Sequence, residues 1–219
     1  NDFSSIQFKG LVKHNLRMGE FNTFELMLFT LWIYLPGFLV NTFAMMWGKW
    51  LPKTGYGPWP IDGGRMHKDG NRILGDGKTW NGLVGGSITS GLLCWLMTMS
   101  PENWIFISPV KGASGWAASA FLLGTFLGFT SLIGDSTGSY FKRRKGMKRE
   151  GDVSSKAPLL DTLPFAISVF LFGQIFLVNS AHGERELLIP MLLLIVITPI
   201  LHRSFNLIGY KIGWKDVPY

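Results

Sequence analysis

Five stretches of this chain are long and apolar enough to cross a lipid bilayer, and nothing else in the sequence restricts its fold as strongly. A bilayer core of about 30 Å takes about 20 apolar residues per helix. The runs are 21–47, 82–99, 114–133, 163–178 and 187–201. The first holds one charge, Glu25, at a helix start where the macrodipole favours it, and Pro36-Gly37 in its middle predicts a kink. The second and third are dotted with Gly, Ala and Ser, which let helices approach closely. The fourth is short and needs Leu159 and Leu160 to span, and the fifth carries Pro190 and Pro199. A soluble core explains one or two such runs. Five of them, with only 16% charged residues in 219 against roughly 25% in soluble domains, leave too little polar sequence to cover them. The expectation is an all-α, polytopic membrane bundle of five transmembrane helices, one domain over 1–219.

Lys and Arg outnumber Asp and Glu by 21 to 14, and their placement sets the orientation. Five spans put sixteen of the basic residues on the side of the 48–81 loop, the 134–162 loop and the C-terminus, and five on the other. Both large loops and the C-terminus are therefore expected in the cytoplasm, with the N-terminus outside. Residues 1–20 read as an interfacial segment with an amphipathic helix over 8–17 or, equally well, as a flexible start. The chain opens at Asn1 without a signal-peptide pattern, which predicts a trimmed or processed start. A single cysteine, Cys94, excludes an intramolecular disulfide or a cysteine metal framework.

The loops carry the chemistry. The first contains Pro60-Ile61-Asp62-Gly63-Gly64-Arg65, Lys68-Asp69-Gly70 and Arg72-Ile73-Leu74-Gly75-Asp76-Gly77-Lys78-Thr79. Glycine amides, basic side chains and carboxylates in this density suit phosphate and a hard cation. A turn-rich loop obeying the positive-inside rule also accounts for it. Gly-Lys-Thr at 77–79 is not a P-loop, because Arg72 stands where that motif needs Gly. In the second loop, Asp135 follows the third span, Lys142 and Arg143 come seven and eight residues later, and Asp161 opens the fourth span. Carboxylates at the membrane rim point to function. They would hold a divalent metal, with Asp62 or Asp69 in reserve, while Lys142 and Arg143 cover phosphates.

Transfer of a nucleotidyl group to a lipid phosphate needs this set and no nucleophilic side chain. The attacking oxygen is already an anion, so catalysis rests on positioning, divalent metal and cationic side chains. A transporter or flippase for an anionic lipid or phosphate is the alternative of another class. It would favour broken helices and charge at mid-membrane, whereas these charges sit in loops. His67 reads as solvent-facing, His14, His182 and His202 show no metal spacing, and the tryptophans read as interface anchors.

The combination of Leu35-Pro36 through Asn41, Pro60-Ile61-Asp62-Gly63-Gly64, Lys68 through Thr79, Gly134-Asp135-Ser136-Thr137-Gly138-Ser139-Tyr140-Phe141-Lys142-Arg143-Arg144 and Leu160-Asp161-Thr162-Leu163-Pro164-Phe165 resembles the archaeal CDP-archaeol synthase family. It covers most of the chain. Ser139, Lys142, Arg143 and Asp161 also fit a pattern shared with phosphatidate cytidylyltransferases, whose ester-lipid reaction is the nearer alternative. The resemblance implies that CTP and 2,3-bis-O-geranylgeranylglycerol 1-phosphate give the CDP-activated ether lipid and pyrophosphate, with Mg²⁺, at a multi-pass cell-membrane protein. It implies Asp135, Asp161 and Lys142 as catalytic residues, Asp135, Asp161 and Asp62 as metal ligands, and Asn41, Asp62, Asp69, Lys78, Ser139, Lys142 and Arg143 as the nucleotide site. Two departures from the family pattern stand out: Asn41-Thr42-Phe43-Ala44 lacks a following Pro, and Asn71 replaces an Arg.

Overall fold

The computed structural model describes residues 22–97, 99, 117–147, 158–176 and 188–211. The amphipathic helix expected over 8–17 and the basic residues Lys148, Arg149 and Lys156 lie outside the described residues. The helices are α1 (Thr23–Ile33), α2 (Leu35–Trp50), α3 (Trp80–Met97), α4 (Ala117–Arg144), α5 (Pro158–Phe176) and α6 (Leu188–Lys211), with a 3₁₀ turn at Leu51–Thr54. Among the described residues there is no strand. Two isolated bridges, Pro60 with Thr79 and Met66 with Arg72, fold the first loop on itself.

The local chemistry explains the ends and the breaks. Asn22 Oδ1 accepts from the Glu25 amide at 3.0 Å and Glu25 Oε2 from the Asn22 amide at 2.9 Å, a reciprocal cap that starts α1. The expected kink falls at Tyr34, where α1 and α2 meet at 44°. Pro36 lies in the first turn of α2, where its missing N–H costs nothing, and it disfavours a helical residue before it.

Small residues form the seams. Ser90 Oγ donates to the Gly124 carbonyl at 2.9 Å and Ser131 Oγ to that of Gly37 at 2.9 Å, which ties α3 to α4 and α4 to α2. A Cβ at Gly82 would stand 2.9 Å from the Ala44 carbonyl oxygen, and one at Gly134 would meet that of Pro164 at 2.5 Å. Phe29, Ile33, Tyr34, Leu127, Phe165, Val169 and Phe170 fill the main core. Large apolar side chains instead face outward: Val84, Ile88, Leu92 and Leu96 on α3, Leu122, Phe126, Phe129 and Ile133 on α4, Ile167, Leu171 and Ile175 on α5, and Leu192, Val196 and Ile200 on α6. A belt of this extent is far larger than a water-soluble surface tolerates. With small and hydroxyl residues inside, it is the pattern of helices packed in lipid.

By length and apolarity alone, among the described residues, α5 qualifies as a span over Leu159–Phe176, including Leu159 and Leu160, and the bent α1–α2 pair is a second; Leu188–Ile200 is apolar but shorter. The inward Gly, Ser and Thr residues dilute α3 and α4. One expectation is corrected. Residues 134–144 are not loop but the last three turns of α4, and 158–162 open α5. The polar stretch stays helical because Gly134 and Gly138 seat against α5, and Lys142, Arg143 and Arg144 end the helix where its dipole favours cations.

Candidate active site

The first loop is a fixed structure built around one carboxylate. Asp62 Oδ1 accepts from Arg72 Nη2 at 2.6 Å and the Gly64 amide at 3.1 Å, and Oδ2 from Arg72 Nε at 3.2 Å and the Leu74 and Gly75 amides at 3.0 Å each. Its side chain is 1% exposed. Burial alone would raise the Asp62 pKa, but Arg72 and these amides outweigh it and hold the carboxyl far below the usual range. Arg72 extends to Asp76 at 2.6 Å. The loop's beginning and end are joined by Asn81, which is buried in the first turn of α3: its Nδ2 donates to the Tyr56 carbonyl at 2.9 Å. Gly57 lies against this amide at φ +91°, where a Cβ would stand 2.6 Å from Nδ2. Thr79 Oγ1 caps α3 by accepting from the Gly82 amide at 3.1 Å.

The loop then docks on the end of α4. Lys78 Nζ donates to Asp135 Oδ2. Arg143 Nε reaches the Leu74 carbonyl at 3.4 Å while Nη1 donates to the Met147 carbonyl, so this buried guanidinium stands against Gly75. Arg144 Nη2 donates to the Arg72 carbonyl at 2.7 Å and Nη1 to Asp69 Oδ1 at 2.8 Å. From the other side α5 contributes Asp161, whose Oδ1 accepts from Lys142 Nζ. Gly138 makes this meeting close, since a Cβ there would land on the Leu160 carbonyl oxygen. Two Lys–Asp pairs thus stand at one end of the bundle, largely buried, beside a loop whose amides and cations are held in place.

The whole described bundle and both pairs fall within a match to other proteins. A family model described as CarS-like, CDP-archaeol synthase, matches residues 23–219. The chain belongs to the CDP-archaeol synthase family. It is similar to the CDP-archaeol synthases of Methanosarcina barkeri, 39% identical over 84% of this chain and 99% of that protein, and of Thermococcus gammatolerans, 36% identical over 88% and 96%. It is also similar to a solved structure described as an intramembrane enzyme for archaeal membrane lipids biosynthesis, with TM-score 0.54, 26% identity, and coverage of 84% of this chain and 94% of that one. An all-helical chain with an apolar belt accords with that neighbour.

Within this CDP-archaeol synthase family member, the residues singled out in the sequence separate into groups. Asp135, Lys78, Asp161 and Lys142 come together as two ion pairs. Ser139 is buried one turn beyond Asp135 on α4. Asn41 is partly buried on α2, one turn beyond Gly37, whose carbonyl holds Ser131. Asp62 is the correction: with five donors on its two oxygens it has no lone pair facing a metal or nucleotide, and it is the hub of the loop. Asp69 is exposed and accepts from Arg144 and from the Asn71 amide at 3.0 Å. The hydrogen bond from the Asn71 amide above all, helped by the Arg144 charge, outweighs desolvation and holds its pKa down. His67 is exposed, as expected. The sequence reading passed over Arg72, Asn81 and Arg144. An arginine ten residues after an Asp-Gly-Gly turn is the one signal that could have raised Arg72.

Proposed function

We propose that the chain transfers the cytidylyl group of CTP to 2,3-bis-O-geranylgeranylglycerol 1-phosphate, giving CDP-archaeol and pyrophosphate. The observation that carries this reading is the placement of two ion pairs, Lys78–Asp135 and Lys142–Asp161, along the last turns of α4 at one end of an apolar-belted bundle in a chain of this family. In the reaction a lipid phosphate oxygen attacks the α-phosphorus of CTP, a new P–O bond forms, and the bond to the β-phosphate oxygen breaks. The electron pair leaves with pyrophosphate. Nucleophile and leaving group are both anions, so the protein's task is to hold them in line and offset their repulsion. Lys78 and Lys142 exchange carboxylate for phosphate oxygens as the nucleotide enters. Ser139 and Asn41 lie on the helix faces around it.

The donor set fits Mg²⁺. Among the described residues the second oxygen of Asp135 and of Asp161 accepts no hydrogen bond, and no three acidic, His or Cys residues converge. Two carboxylates completed by phosphates and water are the usual arrangement for this ion. Asp135 and Asp161 are the residues that would hold Mg²⁺, which supplies neutralisation of charge on the triphosphate. The bent α1–α2 pair and α3 to α6 make five spans in this reading, with the loop end in the cytoplasm and the N-terminus outside. The lipid reaches the pairs sideways between helices, and CTP reaches them from water.

The test is pyrophosphate release by detergent-purified protein. Release is expected only with CTP, the unsaturated ether-lipid phosphate and Mg²⁺ together, and it should stop on chelation and resume on adding the metal back. Equal release with ester phosphatidate would move the substrate to ester lipids. No release with any lipid phosphate would remove cytidylyl transfer.

A further inference from the structure

We infer that Arg144 is a positioning residue: with Asp69 it straps the first loop onto the cytoplasmic end of α4, and so sets where Lys78 and the Leu74–Gly75 backbone stand for the nucleotide. The inference rests on the cytidylyl-transfer reading for its kinetic part only.

Arg144 is the last residue of α4, yet its side chain is just 16% exposed. Its fork spans two points of the loop, Asp69 Oδ1 at 2.8 Å and the Arg72 carbonyl at 2.7 Å. The guanidinium carbon stands 5.2 Å from the centre of the Tyr140 ring, one turn back on α4, and this aromatic face fixes the plane in which the fork lies. Its Nε is buried and has no hydrogen-bond partner among the described residues, so the two loop contacts account for the polar bonds of the group. The Arg72 carbonyl belongs to the residue whose own side chain grips Asp62, and Asp62 in turn holds the Leu74 and Gly75 amides. A contact at 144 is thereby carried to 75, and Lys78 follows three residues on. A lysine cannot make both contacts in one plane, since it lacks the fork. Arg144 touches neither Lys–Asp pair.

Two variants and two readouts decide it. Arg144→Gln and Asp69→Asn remove the strap from opposite ends, and the exposed Asp69 position keeps the test open if Arg144→Gln fails to fold. Trypsin cuts after Arg65, exposed in the loop, and this bond is the one scored, because Asp69→Asn itself alters the residue that follows Lys68. In protein without substrates, cleavage there should quicken about tenfold in each variant, as expected for local opening, with the thermal midpoint of the bundle little changed. The KM for CTP should rise about five- to tenfold while kcat stays within about threefold, the signature of lost binding rather than lost chemistry. The double variant should be no worse than Arg144→Gln alone, since that change already removes both loop contacts, the one to Asp69 included. Arg144→Lys should fall between the wild type and Arg144→Gln. Unchanged cleavage overturns the strap whatever the KM does, because a raised KM with a tight loop would mean that Arg144 binds nucleotide itself. An unaltered protein that releases no pyrophosphate sinks the cytidylyl-transfer reading, and the cleavage rates then still decide whether Arg144 holds the loop.

Discussion

Asp62 shows how one side chain can organise a whole loop. Its carboxylate is lowered in pKa by Arg72 and three amides despite burial. A carboxyl held below its unfolded value of 3.8 stabilises the loop fully above that pH and loses the contribution as pH falls through the folded value. Exchange of the Leu74 and Gly75 amide hydrogens, corrected for intrinsic rate, should therefore show constant protection from pH 7 to 5 and decline only in stronger acid. Asp62→Asn should cost about 2 kcal/mol of local stability, the scale of a charged hydrogen bond, or about thirtyfold faster exchange at those two amides. Unaltered protection in that variant would refute the hub. The two pairs call for different variants. Asp135→Asn should abolish pyrophosphate release with the fold intact, and Lys142→Ala, which strands Asp161, should raise the CTP requirement severalfold. Normal turnover in the first, or unchanged CTP dependence in the second, would take that residue out of the site. The charged residue types were legible in the sequence here, and the structure pairs Asp135 with Lys78 and Asp161 with Lys142. Their partners were not, because a carboxylate meant for a metal and one meant for Arg72 look alike until the loop is folded.

At the scale of elements, the seam between α4 and α5 decides whether the pairs exist. The apolar runs marked every described helix core in the sequence, but the end of α4 was hidden. Gly-Asp-Ser-Thr-Gly-Ser over 134–139 is poor in helix formers, and it reads as loop when taken alone. Its helix is held by tertiary contact: Gly134 and Gly138 let α5 come close enough for the Pro164 and Leu160 carbonyls to pack on bare Cα atoms. Gly138→Val should force the helices apart, costing about 1–3 kcal/mol as an overpacked contact does, and should lower kcat because Lys142 and Asp161 separate. Ile133→Val, on the outward face of the same helix, is the matched control and should change neither. A thermal midpoint and kcat unmoved by Gly138→Val would mean that the seam yields without disturbing the site.

For the whole molecule, the question is which end of the bundle faces CTP. The loop end carries Lys49, Lys53, Arg65, Lys68, Arg72 and Lys78 together with the basic end of α4, and cationic segments are retained in the cytoplasm. The opposite end begins at the Asn22 cap of α1. A helix of 28 residues is about 42 Å long at 1.5 Å per residue, longer than the hydrocarbon core of about 30 Å, so α4 has length enough to carry its last turns into water. Cys94, the single cysteine of the chain, is buried, so an introduced thiol reports on its own position. Lys53→Cys lies at the loop end and Thr23→Cys at the start of α1, both exposed. With a membrane-impermeant maleimide, intact spheroplasts should label the Thr23→Cys protein and spare the Lys53→Cys protein, and inside-out vesicles should reverse the pattern. The opposite result would place the Lys–Asp pairs outside, away from the cell's nucleotides. No cytoplasmic CTP could then reach them, and the cytidylyl-transfer reading would fall for a reason that no substitution within the site could reveal.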